Sequence, residues 1–444
     1  MMRIGRVFTD RRAPHYKLRN ETANRHLSIA GVKTARRVFQ MRMQSTSEIP
    51  APDYARSDTA REGLASSSRK MTVVFIKNSE MLEDYVEAWE ELAAEALEPN
   101  PFYEHWMLIP ALRELAAGKD LRVVLVLAED QFKPTLCGVF PLEKHARYKG
   151  LPVTAFTLWR HIYSPLCTPL IRSEVARECL EAFLDWLDSQ RECSLMDFTL
   201  IYGQGAFSKL LTDCLEARGR SSLITEAHVR AILRPQENSD LYLRAALRRD
   251  HRKDCRRKTR RLAELGKFEL DSIEFNEDIE TWIDEFLELE VSGWKGRQGG
   301  AFACSESNRN YFAAVARQAF ERDRLTMFAF RLDGKPIAMK CNFIAMPGSF
   351  AFKIAFDEAY ANYSPGFLLE IENVRWFHAE RRFEWMDSCA APDHPMIDRL
   401  WVDRLEILNV LVPTGIAGKS VVAALPVMRA LNRKFRRLAG GGVS

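Results

Sequence analysis

An order of elements that occurs twice, 200 residues apart, limits the folds open to this chain more than any other feature of its sequence. In the first copy Leu82, Tyr85, Val86, Trp89, Leu92, Ala93 and Ala96 recur at helical spacing, with acidic residues on the opposite face. A second helical stretch follows at residues 106–117, and apolar runs at 121–128, 136–142 and 154–159 read as strands. In the second copy Ile279, Trp282, Ile283, Phe286 and Leu287 mark one helix, and Phe312, Val315, Ala316 and Ala319 another. Strands are expected at 325–332, 336–346 and 350–356, with turns at Asp333-Gly334 and Pro347-Gly348. Each copy continues through a Tyr-Ser-Pro tripeptide (Tyr163-Ser164-Pro165 and Tyr363-Ser364-Pro365), a helical stretch, and a strand ending Met-Asp (Met196-Asp197 and Met386-Asp387).

Such a repeat predicts an α/β protein of two similar units, since an antiparallel meander with helices packed on it buries one hydrophobic face per unit. The polar, turn-like stretch 234–240 marks the boundary. The expected organisation is a disordered basic extension and linker over 1–70, one domain over 71–235, a second over 236–405, and a basic tail over 406–444.

Charge is unevenly placed. Residues 1–44 hold eleven Lys and Arg against Asp10 and Glu21, a local +9, so the overall +4 leaves about −5 for the rest and argues against a surface built wholly for DNA. An Arg-rich, acid-poor N-terminus has the composition of an organellar transit peptide; a disordered tail, or a start at Met43 or Met71, are the other readings. Nine cysteines stand singly, with no CxxC and no Cys/His spacing for zinc, so they read as small buried hydrophobes of a reducing, cytoplasmic protein, and no metal site is expected. The weakly polar run 407–428 is broken by Pro413, Gly415, Gly418, Lys419 and Pro426. Five basic residues, from Arg429 to Arg437, follow it, so it reads as a helix that docks on the domain or touches an anionic membrane surface.

The chemistry is expected between residues 352 and 370. A strand ends near Asp357, a polar loop follows, and Ser364-Pro365-Gly366 opens a helix. Ser suits the N-cap and Pro the first turn, Gly lets a ligand approach, and the free N–H groups with the helix dipole make a phosphate site; an ordinary capped helix is the alternative. The run Trp294-Lys-Gly-Arg-Gln-Gly-Gly-Ala301, the turn-strand Gly334-Lys-Pro-Ile-Ala338, and Asp357-x-x-Tyr360-x-x-Tyr363-Ser-Pro-Gly366 resemble the GNAT-type acetyltransferases of the cellulose-biosynthesis (CelD/BcsL-type) group, relatives of the FemAB peptidyltransferases. The resemblance spans residues 71–405 and implies tandem GNAT-like (acyl-CoA N-acyltransferase) domains that move an acyl group from acetyl-CoA or another acyl-CoA to an amine or hydroxyl.

Carried onto this chain, the resemblance implies that Ser364, Gly366 and Phe367 cradle the CoA diphosphate and that Tyr363 protonates the departing thiolate. Asp357 or Asp387 would take a proton from the nucleophile. Lys353, Trp294 and His394 are the expected acceptor-binding residues, each with a bland alternative: a solvated Lys, a core Trp, and, for His394, a role as the base. The chain reads Asp393-His394-Pro395 where the family often has a Tyr-Lys pair, which leaves the acceptor open. Residues 244–261 hold ten Lys and Arg against two Asp and read as a solvated helix, or as a clamp for CoA, for saccharide-linked phosphates or for a tRNA backbone. Acyl transfer in exopolysaccharide or cell-envelope synthesis is the expected function. An aminoacyl-tRNA-dependent transferase and a non-catalytic scaffold are the alternatives.

Overall fold

The computed structural model describes residues 70–425 apart from 131–132 and 276. The first half runs β1 (Met71–Ile76), α1 (Val86–Ala94), α2 (His105–Leu115), β2 (Leu121–Ala128), β3 (Thr135–His145), β4 (Ala155–Leu158), β5 (Leu170–Ile171), α3 (Ala176–Ser189), β6 (Leu195–Tyr202), α4 (Ala206–Ala217) and β7 (Leu223–Leu233). The second runs α5 (Ser239–Ala246), α6 (Arg249–Ala263), β8 (Phe268–Ser272), α7 (Ile279–Ser292), α8 (Trp294–Arg297), α9 (Glu306–Glu321), β9 (Leu325–Leu332), β10 (Lys335–Ala345), β11 (Gly348–Phe356), α10 (Pro365–Glu380), β12 (Trp385–Asp387), α11 (Ile397–Leu400) and β13 (Asp403–Pro413).

Local chemistry accounts for the clearest of these. Asp278 accepts from Glu280 N (3.1 Å) at the head of α7, and the apolar stripe Trp282, Ile283, Phe286 and Leu287 is the buried one. Asp333 and Gly334 both take positive φ (50° and 82°), the two-residue turn that matches the twist of paired strands β9 and β10.

All strands join one sheet, in the order β1-β2-β3-β4-β6-β13-β7-β12-β11-β10-β9-β8, with β5 off the path against β3. Read inward from either edge, the two halves are the same, except that each half's last strand is lodged beside the other half. The strand β13 lies antiparallel between β6 and β7, and β7 lies antiparallel between β13 and β12. Residues 406–413 are therefore central sheet, which corrects their assignment to a tail. Their near-continuous apolar run, buried from Ile407 to Pro413, fits a central strand covered on both faces, and the low charge that resembled a tail helix comes from that burial.

Two parallel ladders break the antiparallel pattern, one per half and each three pairs long: Ala155–Thr157 against Leu195–Asp197, and Gly348–Phe350 against Trp385–Asp387. Asp197 and Asp387 occupy the same place in the two ladders. The first Tyr-Ser-Pro does not open a helix as expected; α3 begins only at Ala176, after β5.

Along β10, Met339, Cys341 and Phe343 join a core built on α1, α2, α3, α7 and α9, whereas Ala338 and Ile344 join a second core under α5 and α10. The two cores thus lie on opposite faces of the sheet. A helix over 416–425 packs Val422 and Leu425 on Tyr148, Leu195 and Leu411. The basic extension (1–69) and the tail residues 426–444 lie outside the described residues. Among the described residues no helix is long and apolar enough to cross a membrane.

Candidate active site

The second parallel ladder stops after Phe350 and Asp387, while β11 runs on to Phe356 and the chain after β12 turns away through Cys389, whose φ is 54°. The two segments diverge and leave one edge of β11 without a strand partner among the described residues. Lys295 reaches this edge, donating from Nζ to the Ile354 carbonyl (3.0 Å) and to Glu290 Oε1 (3.1 Å).

The N-terminus of α10 closes one side of this gap. Ser364 sits at its head in the left-handed region (φ 53°) and makes no side-chain cap; its hydroxyl instead accepts from Lys258 Nζ (3.0 Å), reaching across from α6. Pro365 has no N–H, and Leu368 N is the first donor to close a helical turn, onto Ser364 O (3.1 Å). The amides of Gly366 and Phe367 are then the turn's free donors by helix geometry, with a lysine beside them. That arrangement suits an oxyanion. The glycine at 366 has a packing reason as well, because a Cβ there would stand 3.2 Å from the Phe356 ring and 3.8 Å from Ile354. Gly366 thus lets α10 approach β11, a packing role beside the one expected toward a ligand.

Beneath α10 a buried polar network fixes the helix on β10. Lys340 and Glu370 pair at 2.8 Å, Asn373 donates to Glu370 (2.8 Å), and Asn342 donates to Asn373 (2.8 Å). Each partner is almost fully enclosed, so this pair holds geometry and contributes little net stability.

A bulge between Cys341 and Asn342 in the β10 register leaves Phe352 as the extra residue on β11. Phe352 and Lys353, neighbours in sequence, therefore reach the same face, where alternation would have put them on opposite ones. Lys353 Nζ lies over the rings of Tyr163 (5.0 Å), Phe302 (5.2 Å) and Phe352 (5.9 Å). Burial, and then the nearby Lys295, pull its pKa down to about 8. It is half-buried, which replaces the alternative of a solvated lysine.

The remaining candidates separate into lining and structural residues. Trp294 is exposed on α8 at the rim, its backbone N–H donating to Glu358 Oε1 (2.6 Å), and Arg297 pairs with Glu358 (2.7 Å), so this turn is tied to the segment that leaves β11. His394 stands on the other bank; its Nδ1 accepts from Ile397 N (3.3 Å), and burial lowers its pKa against the pull of Asp398 and Glu370. With Nδ1 engaged, the neutral ring carries its proton on Nε2, which suits donation to a ligand and corrects the alternative of a base. Tyr363 is half-buried and packs against the second core, as Phe356 and Phe367 do.

Asp357 caps the turn that follows β11, accepting from Ala359 N (2.9 Å). Asp387 is fully enclosed; it accepts from Tyr202 Oη (3.0 Å), from Cys389 N (2.9 Å) and from Arg230 on β7. An acid with its lone pairs so occupied clamps the exchanged strand and is not free to take a proton, which corrects its assignment as a base.

In the first half the matching gap is filled. The loop 159–169 enters it, with Cys167 N donating to Leu200 O (3.0 Å), Tyr103 Oη to Trp159 O (2.8 Å) and Asn100 Nδ2 to Thr168 O (2.8 Å). Trp159, His161, Tyr163, Leu166 and Cys167 are buried there. Of the residues that meet Lys353, Tyr163 was visible in the sequence only as part of a repeated tripeptide, and Phe302 carried no signal at all.

Residues 249–394 match a family model described as "Acetyltransferase (GNAT) domain". No curated protein matches. Among solved structures, the chain is similar to FemX (10% identity over 72% of this chain and 95% of that one, TM-score 0.46). It is also similar to a tandem GNAT protein from the clavulanic acid biosynthesis pathway (14%, 78% and 99%, TM-score 0.39). A third is the C-terminal domain (DUF2156) of a putative lysylphosphatidylglycerol synthetase from Agrobacterium fabrum (14%, 79% and 96%, TM-score 0.46). Residues 249–394 thus carry a GNAT acetyltransferase domain, in an α/β chain of GNAT fold whose activity class is acyl transfer from acyl-CoA.

Proposed function

We propose that the gap between β11 and the chain after β12 takes the acyl-CoA, and that the acyl group passes to an amine or hydroxyl of an acceptor held between the two halves. The observation that carries this reading is the uncapped N-terminus of α10 opening at the parallel pair whose gap, among the described residues, no loop of its own half is stitched into. Gly366 and Phe367 amides with Lys258 hold the diphosphate, and α6 adds a field of positive charge around it. Tyr363, one residue before that turn, protonates the leaving thiolate.

The test is a thermal-shift titration of the full chain with acetyl-CoA and longer acyl-CoAs. At about 100 times the dissociation constant, binding adds roughly 2.7 kcal/mol and raises the midpoint by several degrees. No shift with any acyl-CoA overturns the reading. For the acid, Tyr363→Phe lowers kcat by about 10² to 10⁴ with acyl-CoA binding kept.

A second reading is supported by α6, which exposes Arg249, Lys253, Arg256, Arg257, Arg260 and Arg261 along one helix. Such a row suits a nucleic-acid backbone, and an aminoacyl-tRNA donor would show affinity falling steeply with salt. A saccharide acceptor of exopolysaccharide or cell-envelope synthesis rests on the sequence resemblance, and acyl transfer to oligosaccharides tests it.

A further inference from the structure

Across the sheet from α10, four side chains from both halves meet with their polar ends unspent. His161 and Tyr163 come from the loop that plugs the first half, Tyr311 from α9, and Lys353 from the bulge on β11. Their rings touch: His161 to Tyr311 at 5.3 Å, Tyr163 to Tyr311 at 5.5 Å and nearly parallel, His161 to Tyr163 at 6.4 Å. His161 and Tyr163 are 5% exposed and Tyr311 is 0% exposed, yet His161 Nε2, Tyr163 Oη and Tyr311 Oη have no hydrogen-bond partner among the described residues. A buried polar atom left unpaired costs about 1–3 kcal/mol, so three together call for a ligand.

The sign of that ligand follows from the donors. His161 Nδ1 accepts from Tyr163 N (3.4 Å), and burial pushes the ring's pKa down to about 3, so it is neutral with its proton on Nε2. Burial raises both tyrosines, which stay protonated. The Lys353 ammonium has aromatic faces around it and makes no ion pair among the described residues. Glu290, the carboxylate whose charge acts on Lys353, already accepts from Lys295 on one oxygen and from Phe302 N (2.9 Å) on the other. The set offers an imidazole N–H and an ammonium that only donate, and two hydroxyls that can each donate, and the one charge it carries is positive. One ammonium neutralises one charge, and a buried dianion would be left half-compensated. A monoanion fits and a phosphate monoester does not.

We propose that Lys353, Tyr163, Tyr311 and His161 bind a carboxylate on the acceptor, so that the acyl-receiving group belongs to an amino acid or a uronic acid. This rests on the acyl-transfer reading, because Lys353 adjoins Ile354, whose carbonyl meets Lys295 and whose side chain lies against the α10 turn. The carboxylate anchors the acceptor on one face of β11 while its nucleophile points past the strand edge to the gap.

The experiment is lysine methylation of the full chain with CoA present, followed residue by residue by mass spectrometry, in sodium acetate, sodium phosphate or sodium chloride at equal ionic strength. Acetate at about ten times its dissociation constant leaves Lys353 reacting roughly tenfold more slowly than in chloride. Phosphate gives no such protection. Tyr311→Phe, which keeps the ring and removes the hydroxyl, loses most of it. Glycine and glucuronate, compared with glycinamide and glucose, then separate the amino-acid and uronic-acid sources. Equal methylation in acetate and chloride, or stronger protection by phosphate, overturns the proposal. A thermal shift with acetyl-CoA in the same samples shows whether the acyl-CoA reading stands independently.

Discussion

The two halves share one topology down to a three-pair parallel ladder with an acid at the same place, and they use it in opposite ways. In the first half Asp197 takes a hydrogen bond from Tyr148 (2.8 Å) and the gap beyond the ladder is sewn shut by the loop 159–169. In the second, Asp387 holds Arg230 of the exchanged strand, and the chain leaves the gap in a short turn capped by Asp357. The lesson is that one fold supplies both a wall and a site, and the loop after the fourth strand decides which. The wall is not idle: its buried Tyr163 and His161 are delivered to Lys353 of the other half.

The largest effect is expected at the acid. Asp387→Ala leaves Arg230 buried and unpaired and should cost about 3–5 kcal/mol in denaturant unfolding. Replacing Asp197 with Asn, which keeps a hydrogen-bond acceptor for a neutral Tyr148, should cost far less, within about 1–3 kcal/mol. Equal losses would break the distinction between the two ladders. Next, Trp159→Ala empties part of the plug and should destabilise by about 3–5 kcal/mol without adding a second acyl-CoA site, as counted by titration calorimetry. A second site would mean that the plug alone separates the halves. Lys258→Met removes the cation beside Ser364 and should weaken acyl-CoA roughly tenfold, about 1.4 kcal/mol, with unfolding unchanged.

The effects in pH dependence run in opposite directions in the two halves. Glu98, which caps α4 by accepting from Phe207 N (2.8 Å), is pushed up by burial to about 7 from its ordinary 4.5. Between those values the folded state holds the extra proton, so its contribution falls as pH rises, and Glu98→Gln should flatten stability there. Lys353, at about 8 against an ordinary 10.5, loses its proton first in the folded state. Stability should therefore rise with pH between about 8 and 10.5, and Lys353→Met should remove that rise.

The repeat itself was legible because helical and strand periods are local, and so was the turn at Ser364, since Ser-Pro-Gly carries its own geometry. The strand exchange was not, because nothing in 403–413 or 223–233 says which half each will pair with. Asp387 read as a catalytic base for the same reason: its partner Arg230 lies 157 residues away. Lys353 was singled out as a charge in an apolar strand, but its aim depended on a bulge, and no alternation pattern shows a one-residue slip. Nothing in the sequence marks Tyr311 or His161; only the fold shows that their polar atoms are left over.

The central claim is that the open gap of the second half, and not its plugged counterpart, takes the acyl-CoA. Titration calorimetry of the full chain with acetyl-CoA tests it directly. One site per chain, weakened by Lys258→Met and indifferent to Asp197→Asn, is the result this account predicts; two sites, or none, would contradict it.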